Sequence, residues 1–114
     1  MTIRTGVAAA VMAILVAGAA APRMSAATAV RKPVTHTVTI DGARFSPADL
    51  TVRAGDTIVW VNKDILAHTA TSRDGAFDSK VIQPGQRWKF VVKRKGDFAY
   101  TCSFHPMNAI LKVQ

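Results

Sequence analysis

From Val34 onward the chain is built of short alternating runs, and that pattern admits few folds. Val34, His36, Val38 and Ile40 alternate with Thr35, Thr37 and Thr39. Period-two alternation with β-branched residues predicts a half-buried strand. Asp41-Gly42 marks a turn, Phe45-Ser46-Pro47 an irregular link, and Asp49 to Arg53 a second short strand. Ala54-Gly55-Asp56 turns again before the apolar run Thr57 to Asn62, which suits a central strand. A loop leads from Asn62 to Ala67, and Thr69 to Thr71 has the look of a short strand. Ser72 to Gly75 turns, Phe77 stands as a lone apolar anchor, and Val81-Ile82 precedes a Pro84-Gly85 turn. Trp88, Phe90 and Val92 lie on a further strand, with Lys93 to Asp97 as a charged hairpin end. Phe98 to Cys102 and Ile110 to Val113 complete the set. Seven or eight short strands with turn signals about every ten residues and no helical stripe predict an all-β, Greek-key sandwich of two antiparallel sheets.

The N-terminus reads differently. Arg4 precedes Val7 to Ala20, a stretch without charge. It is shorter than the roughly 20 apolar residues of a membrane span. A charged start, an apolar run and small residues at Gly18-Ala19-Ala20 and Ser25-Ala26-Ala27 have the form of a secretory signal. The expected organisation is therefore a signal peptide over 1–27, cut after Ala27 or Ala20, a linker over 28–33, and one domain over 34–114. The expected location is the periplasm or another exported compartment, with no membrane span in the mature form.

Charge and cysteine count narrow the chemistry. The 114 residues carry 15 Lys and Arg against 7 acidic residues, all Asp, for a net charge of +8. Export makes nucleic acid an improbable partner for that charge. An anionic surface or an acidic protein fits it better. The single cysteine, Cys102, excludes an internal disulfide, and a bound metal is the other common staple of a small exported domain.

The chemistry concentrates in Tyr100-Thr101-Cys102-Ser103-Phe104-His105-Pro106-Met107. A thiol, an imidazole and a thioether fall within six residues between two predicted strands. His68 ends a different loop, and loops at one end of a sandwich cluster. Two imidazoles, a thiolate and a distant thioether make the trigonal site of blue copper proteins, because soft sulfur favours Cu(I) while imidazole serves both oxidation states. The candidate ligands are thus His68, Cys102, His105 and Met107. His36 sits inside a predicted strand with no evident partner and reads as structural.

These stretches resemble the cupredoxins, most of all the plastocyanin and amicyanin branch. Phe45-Ser46-Pro47 through Gly55-Asp56 to Trp60 resembles the family's FxPxxLxVxxGDxVxW run. Trp60-Val61-Asn62 to His68-Thr69 resembles the loop of the first histidine, and Tyr100 to Pro106 resembles the loop of the other ligands. The resemblance implies an eight-stranded sandwich with one type 1 copper at one end. It also implies His68, Cys102 and His105 as equatorial ligands and Asn62 as a brace for the histidine loop. Met107 departs from the pattern. Amicyanin-like loops read Cys-x2-His-x2-Met, whereas this chain reads Cys-x2-His-x-Met, which leaves Asn108 or a backbone carbonyl as alternatives for the axial position.

The expectation is a monomeric, non-enzymatic carrier of single electrons that docks around His105 on a redox protein, with Lys93, Arg94 and Lys95 available to steer an acidic one. The alternative is a copper-binding protein for trafficking or tolerance. Copper enzymes need further metal sites, which three histidines cannot supply.

Overall fold

The computed structural model describes residues 31–114, so the expected signal peptide and the first half of the linker, 28–30, lie outside the described residues. Eight strands follow in order: β1 Thr35–Asp41, β2 Arg44–Ser46, β3 Asp49–Val52, β4 Thr57–Asn62, β5 Thr71–Ser72, β6 Arg87–Val91, β7 Gly96–Thr101 and β8 Asn108–Val113. They form two four-stranded sheets, ordered β2-β1-β4-β6 and β3-β8-β7-β5. The all-β sandwich expected from the sequence is the observed fold. Among the described residues no helix is long and apolar enough to cross a membrane.

Both sheets are mixed rather than purely antiparallel. β1 pairs with β4 in parallel, and β3 pairs with β8 in parallel. Alternation reports which face a residue occupies and carries no information on the direction of its neighbour. Two further expectations are corrected. Phe45-Ser46 belongs to a strand, β2, paired antiparallel with β1. Lys93 to Asp97 is not a hairpin end, because β6 and β7 belong to different sheets and this segment passes between them.

The burial pattern explains the elements. Val38 and Ile40 point inward from β1 while Thr37 stays exposed. β4 lies between β1 and β6 and is apolar on both faces. Ile58 and Trp60 enter the core, while outer Val59 and Val61 are flanked by the cross-strand residues Lys89 and Arg87. Long cationic side chains can lay their methylene stems over such positions. Phe77 is no lone anchor. Its ring centroid lies 5.2 to 5.6 Å from those of Phe90, Trp60 and Tyr100, so it ties both sheets together.

His36 has a partner that the sequence did not reveal. The parallel register of β1 and β4 brings it to buried Asp56, with Nε2 to Oδ2 at 2.9 Å. Asp56 also accepts N–H bonds from Val34 and Arg53. A buried carboxylate with several donors is a structural clasp, here closing the end of the sandwich where β4 begins.

Tyr100 offers a direct test of this core. Burial pushes its phenol up to about 12. The smaller opposing pull comes from Trp60, whose buried indole N–H approaches without meeting hydrogen-bond geometry. A phenol that holds its proton more tightly when folded stabilises the fold fully below pH 10, its ordinary value, and loses that contribution as pH rises through 12. Tyr100 is the only tyrosine. Tyrosinate absorbance should therefore stay flat through pH 10 and rise only toward pH 12, together with loss of structure. Ordinary titration near pH 10 with the fold intact would contradict the packing described.

Candidate metal centre

β4 delivers the chain to one end of the sandwich and β7 returns to that same end. Asn62, the last residue of β4, is fully buried and braces the loop that follows. Its Nδ2 donates to the carbonyls of Leu66 and Ile82, each at 2.9 Å, and its Oδ1 accepts the Asp64 N–H at 2.8 Å. A two-residue bridge between His68 and Ile82 anchors the loop's far side. His68 is thereby held in the interior with no exposed surface.

The second loop, Cys102 to Met107, is closed by the Thr101 and Asn108 pair of β7 and β8. The Met107 N–H donates to the His105 carbonyl at 2.8 Å, and the Thr101 hydroxyl donates to the Met107 carbonyl. The two loops are joined laterally. Ser103 N–H donates to Thr69 Oγ1 at 2.8 Å, and that hydroxyl also meets Thr71 and Ser103.

His68 is the meeting point of the expected donors. Its Nδ1 lies 3.7 Å from Cys102 Sγ, and its ring centroid is 4.8 Å from that of His105. Metal bonds of about 2.0–2.1 Å to imidazole and about 2.3 Å to thiolate, opened to about 120°, place nitrogen and sulfur about 3.7 Å apart. The observed separation is compatible with both donors meeting one ion. Among the described residues no group of three His, Cys, Asp or Glu side chains stands close enough together to hold a metal ion without adjustment, so the His105 ring must move to join His68 and Cys102. The shortened loop still turns the Met107 side chain into the interior. Asn108, the alternative, is exposed and its Oδ1 accepts from Arg73 Nη2 at 2.6 Å.

Backbone N–H groups converge on the Cys102 sulfur. The Thr69 N–H donates to Sγ at 3.3 Å and the Phe104 N–H at 3.4 Å. Burial opposes ionisation, yet those two donors, with the His105 backbone N–H, outweigh it and hold the thiol below its ordinary value. N–H donation to the charged form is what stabilises a thiolate.

Asp64 is a residue the sequence reading missed. Its Oδ2 is 2.8 Å from His68 Nε2. A carboxylate only accepts, so Nε2 carries the proton and Nδ1 presents its lone pair toward Cys102. The Ala43 N–H above all, with His68 and the Ile65 N–H, holds the Asp64 carboxyl below the usual carboxylate range. The signal lay in the four-residue spacing before His68, within a loop whose curl is set by Asn62, by Ala43 and by the His68–Ile82 bridge. By contrast, Lys93 to Lys95 precede β7 and so lie at the end of the sandwich away from Cys102. Lys63, next to Asn62, and Arg73, bonded to Asn108, are the cations beside these two loops.

Asp64→Ala should weaken metal binding about 10- to 100-fold in a chelator competition. The same change should abolish the Nε2–H tautomer of His68, read from its ring nitrogen shifts in metal-free protein. An unchanged tautomer would remove Asp64 from this role.

Known proteins are similar to this chain in sequence and fold. The family model described as a cupredoxin-like domain matches residues 6–113. Amicyanin from Paracoccus versutus is 28% identical over 74 residues, which is 60% of this chain and 56% of that protein, so the chain spans little more than half of this curated relative. A novel purple cupredoxin from Nitrosopumilus maritimus superposes with a TM-score of 0.64 at 26% identity, over 69% of this chain and 99% of that one. A copper-containing nitrite reductase from Thermus scotoductus matches with a TM-score of 0.67 at 26% identity, over 80% of this chain but only 25% of that enzyme. The family match takes in almost the whole sequence, and this chain belongs to the cupredoxin-like family.

Proposed function

We propose that this chain is an exported type 1 copper protein that carries single electrons between redox partners. The ligands in this reading are His68 through Nδ1, Cys102 through Sγ, and His105, with Met107 as a weaker fourth donor. The observation that carries it is the 3.7 Å approach of His68 Nδ1 to a sulfur already receiving two backbone N–H bonds. Bound there, copper supplies a one-electron Cu(I)/Cu(II) couple.

The protein's part is to keep the donors in place while charge changes. Asp64 fixes the His68 ring, Thr69 and Phe104 fix the sulfur, and the Thr69–Ser103 link holds one loop to the other. His105 is half-exposed and so gives the site its edge toward solvent. Around it the two loops present apolar side chains. Ile65 is 87% exposed, Phe104 53% and Leu66 51%. A small apolar patch suits brief docking by a redox protein. The basic balance favours an acidic partner, chiefly through encounter rate. His36 is committed to Asp56, so the described residues offer two histidines at this end, which supports a carrier over a copper enzyme.

Copper-loaded protein should show an intense visible thiolate-to-copper band that ascorbate bleaches and oxidant restores. Cys102→Ser should remove the band, and Met107→Ala should shift the reduction potential while the band persists. A colourless complex that retains Cu(I) without cycling would sink electron transfer and favour copper handling instead.

A further inference from the structure

At the other end of the molecule a cleft of about 330 Å³ opens between the two sheets. Its apolar walls are Phe77, Phe90, Val92 and Phe98, and Lys93 and Arg94 stand at its rim. Phe98 lies near the start of β7 and Cys102 follows its end, so the cleft is separate from the candidate metal centre. The segment that passes from β6 to β7 forms the rim, which is why cations meet an aromatic interior there. The Arg94 guanidinium lies 5.0 Å from the Phe98 ring centroid and pairs with Asp74 through Nη2 at 3.2 Å. That pair is longer than a tight charge-assisted bond of about 2.7–2.9 Å, and it uses one edge of the guanidinium. Stacking on Phe98 holds the planar fork at the mouth. Lys93 is exposed beside it.

We propose that this cleft binds a small amphipathic carboxylate, with its apolar body among Phe77, Phe90, Val92 and Phe98 and its head group at Lys93 and Arg94. The volume sits at the small end of ligand pockets, which suits a medium acyl chain or a single aryl ring. Asp74 pairs with Arg94, and Lys93 makes no ion pair among the described residues, so the lining of the cleft keeps a positive charge. That charge selects an anion over a neutral or cationic amphiphile. A planar carboxylate matches the guanidinium fork. The proposal is independent of copper and of electron transfer.

The test is a titration of isotope-labelled protein, metal-free and copper-loaded, read by amide chemical shifts. Octanoate should move Phe77, Phe90, Val92, Lys93, Arg94 and Phe98 to a saturating limit, with a dissociation constant on the order of 1 mM. Octylammonium should leave those signals in place. Lys93→Glu should weaken octanoate binding about tenfold or more, with the Cys102–Met107 loop signals unmoved. The proposal is overturned if octanoate leaves the cleft signals still, if octylammonium moves them equally, or if Lys93→Glu binds octanoate as tightly as before.

Discussion

A buried sulfur held between two backbone N–H groups is the interaction on which the site end of this protein depends. Thr69 reaches Cys102 from the segment that leaves β4 and enters β5, so it arrives from the passage between the two sheets. Phe104 reaches it from within the sulfur's own loop. Neither donor stands alone. Thr69 is fixed through its hydroxyl to Ser103, and the Cys102 loop is shut by β7 and β8 at Thr101 and Asn108. The donors are thereby arranged by hydrogen bonds of the protein itself, with the rest of the fold serving as a rigid frame for them.

That frame has two unlike ends. The end bearing His68, Cys102 and His105 exposes apolar side chains around a half-exposed imidazole. The opposite end is closed by the His36–Asp56 clasp and carries the Lys93 to Lys95 run above an aromatic cleft. Between them an aromatic block of Trp60, Phe77, Trp88, Phe90 and Tyr100 fills the space between the sheets. Large rings bury much apolar area in few residues, which matters in a domain this small. The separation of ends lets a charged rim and an apolar docking patch coexist without competing for the same surface.

Particular residues show how far the sequence could be read. The β1 and β4 strands were legible because alternation and an unbroken apolar run report burial directly. Cys102, His105 and Met107 were legible as a group because they share one short loop. His68 required the resemblance as well, since nothing local distinguishes it from a solvated loop histidine. Asp64 and Asp56 were not legible. Each acts through a partner set by loop curl or by parallel register, and neither quantity is written in local periodicity. The basic run before β7 was legible as charge but not in its position, because its distance from the candidate centre depends on which sheet each flanking strand joins.

The sequence by itself determined the fold class, the inward and outward faces of the strands, and the chemical types of the candidate donors. Those follow from side-chain chemistry and spacing, which are local. The tertiary structure alone decided that the sheets are mixed and that His68 Nδ1 meets Cys102 Sγ at 3.7 Å. It also decided that Asp64 sets the His68 tautomer and that Met107 turns inward despite its shortened loop. These are outcomes of strand pairing and loop closure across distant parts of the chain, where many weak contacts act together and no single segment carries the answer.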